Sequence, residues 1–251
     1  MATRPPIGMP KLSRRAKILL TIAGVLILVL IVGARLLDTY VNFLWFGEVG
    51  FRSVFTTMLV TRLILFFSLG LLVGGLLAVS LAIAYRTRPV FVPVSGADDP
   101  LARYRSTIVQ RVRLFGIGIP VVVGAIAGAA GNGDWQPVQL MLNAQPFGRT
   151  DPEFGKDIGF YAFTLPFISW LITWLFVAIA IAGIGALITH YIFGGIRLGV
   201  KGDNFSVPAR VQLSVTAGLF VVVFAVDYFF ERYELLFSTR NSLFDGATYT
   251  D

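Results

Sequence analysis

The sequence predicts an all-α protein, a polytopic transmembrane helix bundle of about five spanning helices with a short interfacial helix. Three observations carry that prediction. The 251 residues are 56% hydrophobic and only 14% charged, against roughly 25% charged in soluble domains, and the mean hydropathy is +0.77. Five apolar runs meet or approach the length of about 20 residues that a helix needs to cross roughly 30 Å of hydrocarbon. The basic residues collect between alternate runs. Strands of a membrane barrel would instead alternate with period two, and these runs do not.

The first run, 17–37, follows a basic tail at 1–16. It reads as a spanning helix; the competing reading is a secretory signal cleaved after Val32-Gly33-Ala34, since basic residues before an apolar stretch also mark such signals. Segment 41–55 mixes Leu44, Trp45, Phe46, Val49 and Phe51 with Glu48 and Arg52, the composition of a helix lying along the membrane surface. The second run, 55–85, is long and uninterrupted. The third, 114–130, is the shortest and holds Gly116, Gly118 and Pro120; a proline is tolerated there where neighbours re-satisfy the freed backbone groups. A polar, Gly- and Pro-rich loop covers 131–163. Within it 135–143 suits a short helix, with Pro137 in its first turn. Pro166 can open the fourth run, 164–188, and the fifth is 211–230, followed by a tail at 231–251.

Orientation follows from the side on which Lys and Arg gather in short loops. Arg4, Lys11, Arg14, Arg15 and Lys17 precede the first run. Arg86, Arg88, Arg103, Arg105, Arg111 and Arg113 follow the second, and Arg197, Lys201 and Arg210 follow the fourth. Asp98, Asp99 and Asp203 are the acids beside them. Acids outnumber bases in the alternate segments, through Asp38, Glu48, Asp134, Asp151, Glu153, Asp157, Glu231, Glu234, Asp245 and Asp251. The expected topology is multi-pass in the plasma membrane, N-terminus cytoplasmic and C-terminus extracytoplasmic. The same sidedness accounts for the net charge of +7 without nucleic acid as a partner.

Small residues recur four apart at Gly70 and Gly74, Gly124 and Gly128, Ala178, Ala182 and Ala186, and Ser214 and Gly218. In lipid, close backbone approach at such positions supplies the packing that the hydrophobic effect supplies in water. Arg35, Arg62 and Asp227 lie in or at the edge of the apolar runs, where an unpaired charge is costly. An ion pair of Asp227 with Arg62 or Arg35 is the expected arrangement. Ten aromatic residues from Tyr40 to Trp170, Phe167 among them, fall at the same boundary, as headgroup-level rings do.

Three blocks then stand out: Leu44-Trp45-Phe46-Gly47-Glu48-Val49-Gly50-Phe51; Phe147-Gly148 and Asp151-Pro152-x-Phe154, leading through Asp157-Ile158-x-Phe160-Tyr161-x-Phe163 to Leu165-Pro166; and Arg232-Tyr233-Glu234-Leu235-Leu236-Phe237-Ser238. With Gly246-Ala247-Thr248-Tyr249-Thr250-Asp251, they resemble the UPF0182 family of uncharacterised bacterial integral membrane proteins, frequent in actinobacteria. Phe147, Gly148, Asp151, Pro152, Asp157, Tyr161 and Pro166 are the loop residues that carry the likeness. The resemblance implies that this chain corresponds to the N-terminal portion of a longer protein with further membrane helices and a large extracytoplasmic region.

Little chemistry is written in the residues. There is no cysteine and one histidine, His190, so sites built on thiols or on several histidines are excluded. No phosphate-binding glycine loop, Gly-x-Ser-x-Gly or His-Glu-x-x-His is present. Asp151, Glu153 and Asp157 lack the ligand spacing of a calcium loop, and turn and capping roles are expected for them. His190 is explained by its place near a helix C-terminus. No catalytic, cofactor or metal residue is assigned. The expected function is a non-enzymatic scaffold or membrane-complex subunit of the cell envelope, in contact with membrane lipids and with an envelope protein or a second copy. The alternative is a transporter or lipid-handling protein with a polar cavity near Arg62 and Asp227.

Overall fold

The computed structural model describes residues 13–89, 100–197, 204–238 and Gly246. Residues 1–12 of the basic tail, Asp98, Asp99, Lys201, Asp203 and most of 239–251 lie outside the described residues. In chain order the helices are α1 (Arg14–Glu48), α2 (Arg52–Arg86), α3 (Pro100–Gln110), α4 (Ile119–Gly131), α5 (Trp135–Leu142), α6 (Leu165–Ile192) and α7 (Val207–Glu234). There is no strand among the described residues, only two isolated antiparallel bridges, Thr150 with Asp157 and Ile196 with Phe205. Among the described residues five helical stretches are long and apolar enough to cross a membrane: Arg14–Glu48, Arg52–Arg86, Leu114–Gly131, Phe160–Ile192 and Val207–Phe237. The fold class is the one the apolar runs predict.

The chain divides into two compact units, Met1–Leu59 and Val60–Asp251. In the first, Ser13 caps α1 by accepting the Ala16 N–H at 3.2 Å. The helix then runs past its apolar stretch to Glu48. Polar residues such as Asp38 and Thr39 do not stop a helix; glycine in a left-handed conformation does. Gly50 has φ of 77°, and its N–H bonds to the Gly47 carbonyl at 3.3 Å while Phe51 N–H reaches Phe46 at 2.8 Å. Segment 41–55 is therefore shared between two helix ends and a turn, and forms no interfacial helix of its own. Across the turn, Phe46 stacks on Phe55 at 5.3 Å and the Arg52 guanidinium lies 4.9 Å from the Phe43 ring.

In the second unit, glycines bring α2 and α4 into backbone contact. A Cβ on Gly74 would lie 2.7 Å from the Pro120 carbonyl oxygen, and one on Gly70 would lie 3.1 Å from that of Gly124. Val73, Ala127 and Ala178 form the core where α2, α4 and α6 meet, with Leu72, Val123, Trp174 and Ile181 packed around them. Ala178, Ala182 and Ala186 are all buried along one face of α6. Ser214 and Gly218 are exposed, and a Cβ on Gly218 would meet nothing within 4 Å, so that pair makes no such contact among the described residues.

Wider, π-type turns precede α4 and α6, at Leu114–Gly118 and Phe160–Thr164. Each is followed by a proline, Pro120 or Pro166, in the first turn of the next helix. Proline lacks an N–H and crowds the carbonyl four residues back, here Gly116 or Ala162, so widening the turn relieves the clash. In the second case Leu165 N–H bonds back to Phe160.

Candidate functional site

The loop between α5 and α6 is organised by two aspartates. Asp151 Oδ1 accepts the N–H groups of Glu153 and Phe154, each at 2.8 Å. Its Oδ2 accepts Lys156 N–H at 3.1 Å and the Tyr161 hydroxyl at 2.7 Å. Asp157 accepts from Phe147 at 3.0 Å and Gly159 at 2.7 Å through Oδ1, and from Gly148 at 2.9 Å through Oδ2. Pro152 presets the turn after Asp151, and Gly148 and Gly155 take positive φ of 70° and 62°. Backbone bonds from Asp151 to Lys156 at 2.8 Å and from Ile158 to Arg149 at 2.9 Å close the loop. Both carboxylates thus do the turn-forming work expected of them.

For Asp151 desolvation favours the neutral form, but the donors from Phe154, Tyr161, Lys156 and Glu153 outweigh it and hold the carboxyl below its usual range. For Asp157 the Phe147 and Gly159 N–H groups lead the same lowering. A carboxyl whose folded pKa is depressed contributes stability that is complete above its unfolded value, about 3.9, and is lost as pH falls through the folded one. Hydrogen-exchange protection of the Glu153, Phe154 and Lys156 amides in detergent is expected to hold from neutrality to about pH 4. Proteolysis by an acid-active protease such as pepsin should become fast in this loop only below that, and Asp151→Asn should remove the protection at every pH.

The loop does not stand alone. Tyr161, Leu165 and Tyr233 form a buried cluster, joined by Phe154, Phe160, Phe230 and Leu236. The Tyr233 ring meets Phe154 at 5.0 Å and Phe160 at 5.2 Å, both edge to face. Arg232 lies 3.9 Å over Phe229 and donates to the Tyr233 hydroxyl at 2.6 Å. Phe147 stacks on Phe163 at 5.7 Å. Ser169 donates to Glu234 Oε1 at 2.5 Å, and the Trp170 indole to Asp134 at 3.1 Å. The loop, the start of α6 and the end of α7 therefore make one platform. Two of the three sequence blocks meet there, through the residues that define them.

The candidate ion pair is placed differently. Arg35 is exposed on α1, in the first unit, and its carbonyl accepts from Thr39 at 2.7 Å. Arg62 and Asp227, both half-buried, lie in the second unit. The Arg62 Nε is buried with no hydrogen-bond partner, and among the described residues no hydrogen bond or ion pair joins Arg62 to Asp227.

A buried polar chain lies elsewhere. His190 is fully buried near the end of α6, and its Nε2 bonds to Gln212 Oε1 on α7 at 2.9 Å. Gln212 Nε2 donates to the Ser80 carbonyl at 3.0 Å and to its hydroxyl at 3.2 Å. Ser80 Oγ donates to Ala182 at 2.7 Å. Three helices are thus tied through four residues. The His190 carbonyl also closes α6, accepting the Gly195 N–H at 2.7 Å beside Gly194 with φ of 75°. The one available signal was a lone amide, Gln212, inside an apolar run. Gln212→Leu is expected to cost about 1–3 kcal/mol, because it orphans buried groups on both neighbours. Thermal unfolding in detergent measures it, with Leu213→Ile as the comparison.

A cavity of about 660 Å³ is lined by α2, α3, the π turn before α4, α4 and α6. It is apolar, and neither Arg62 nor Asp227 lines it. Among the described residues no three His, Asp or Glu side chains come together as a metal site.

Five long apolar helices among the described residues are compatible with a multi-pass membrane protein. The chain belongs to the family described as uncharacterised protein family UPF0182, whose model matches residues 19–251. It is 61% identical to a UPF0182 protein of Saccharopolyspora erythraea over 243 residues, 97% of this chain and 25% of that protein. Identity is 54% to the Rhodococcus opacus protein and 53% to that of Nocardia farcinica, each over 252 residues, all of this chain and 25% of each relative. The chain thus spans about a quarter of the length of these curated relatives. No solved structure matches it.

Proposed function

We propose that this chain is the membrane-embedded N-terminal module of a larger envelope protein, a non-enzymatic scaffold in the plasma membrane that positions the region beyond α7. The observation that carries this reading is the platform itself. The end of α7 is fixed to the loop and to α6 by buried Tyr233, by the Arg232 guanidinium 5.9 Å from the Phe154 ring and by the Ser169–Glu234 bond, and relatives continue far past this point. Such an arrangement suits an anchor that sets the direction of the downstream polypeptide. The distribution of Lys and Arg supports a cytoplasmic N-terminus and an extracytoplasmic platform.

Two measurements on the full-length protein test the proposal. Single cysteines at Glu153 and Arg111, probed in intact cells with a membrane-impermeant thiol reagent, should react at 153 and react at 111 only after permeabilisation. The reverse pattern inverts the topology. Purification in mild detergent with mass spectrometry should recover a protein partner; a stoichiometric solute instead would replace the scaffold with a transporter.

A further inference from the structure

We propose that the 660 Å³ cavity is a binding site for one anionic glycerophospholipid, with an acyl chain inside and its phosphate held by Arg86 and Arg113. The proposal rests on the membrane-spanning reading but not on the scaffold role. The walls are hydrocarbon: Leu77 and Leu81 of α2, Val123 of α4, and Ile181 and Ile188 of α6 are among them. The Thr189 hydroxyl, also at the wall, is already committed to the Gly185 carbonyl at 2.8 Å. An apolar enclosure of this kind offers a polar solute nothing to bond, and a hydrocarbon chain loses nothing by entering it.

Depth, opening and charge specify the occupant further. Along α2 the lining runs from Leu77 to Arg86, about 14 Å at 1.5 Å per residue, which is close to half of the roughly 30 Å of hydrocarbon. The site therefore has the depth of one leaflet. Ile117, Ile119, Ile184 and Ile188 line it and are exposed, so the mouth opens sideways, where lipid lies. The charges of the lining are Arg86 and Arg113, at one end, with no acid among the described residues that form it. Two guanidiniums at the head of an acyl-sized slot match a phosphate with a net negative headgroup. Arg88 adds a third cation nearby, stacked 3.9 Å over Tyr85, itself a wall residue.

The test uses full-length protein in phosphatidylcholine vesicles containing a small fraction of phosphatidylglycerol with a photoreactive group near the end of one acyl chain. After illumination, labelled positions are mapped by mass spectrometry. Label should concentrate on the α4 and α6 wall around Val123, Ile181 and Ile188, about tenfold above that from a photoreactive phosphatidylcholine, as two cations facing an anionic headgroup imply. Arg86→Gln with Arg113→Gln should abolish the preference for phosphatidylglycerol. Gly116, in the lining, has nothing within 4 Å of its Cβ position, so Gly116→Phe should fill the slot and lose the label while the helices still fold. Equal labelling by both lipids, or label confined to outer helix surfaces, overturns the proposal. So does capture of a downstream segment of the same chain by a photoreactive amino acid placed at Ile117. The thiol-labelling experiment reads topology separately, so failure of either idea is recognised on its own.

Discussion

Replacing Tyr233 with alanine is expected to cost about 3–5 kcal/mol, the range for removing a buried aromatic ring. The side chain is 5% exposed and is the common partner of Phe154, Phe160 and Tyr161. Its loss leaves a void at the junction of loop and helix that the hairpin around Asp151 has no side chain to fill. The hydroxyl is a smaller matter. Tyr233→Phe keeps the ring and gives up the bond from Arg232, so about 0.5–1.5 kcal/mol is expected. Thermal unfolding in detergent gives the two values, and hydrogen exchange at residues 147–160 locates the damage. Equal costs for the two variants would show that the ring packing is not what holds the platform.

Gly124→Leu should separate α2 from α4. A Cβ alone at that position would sit 2.5 Å from the Gly70 carbonyl oxygen and 3.2 Å from Gly74 Cα, and neither is a flexible group that can move aside. Overpacking of this kind costs about 1–3 kcal/mol before the lost backbone contacts are counted. The expected result is a marked fall in thermal stability and a broadened peak in size-exclusion chromatography. Gly218→Leu, on an open face of α7, is the matched control and should change stability little. If both variants behave alike, the α2–α4 approach is not a stabilising contact.

The five described helices long and apolar enough to cross a membrane were legible because run length and hydropathy are local properties of the sequence. Gly70, Gly74, Gly124 and Gly128 were legible for a similar reason, since close approach admits little but glycine. The continuation of α1 to Glu48 and the start of α2 at Arg52 are not legible in hydropathy, which fades near Leu37, whereas the backbone signal, Gly50, comes later. Ile119-Pro120 and Leu165-Pro166 carried the information for the π turns. Proline also suits an ordinary helix start, and the residues alone do not distinguish the two. The ring contacts of Tyr233 and the path from Ser80 through Gln212 to His190 depend on which helix faces come together. That pairing is a property of the tertiary fold, not of any one segment.

The seating of α7 has a mechanical corollary. In relatives about four times as long, tension on polypeptide beyond Phe237 would first load the Tyr233 ring and the Ser169–Glu234 bond. The strain would pass to the head of α6 rather than draw α7 along its axis. For the proposed anchor, this seating resists withdrawal of α7 at its point of exit.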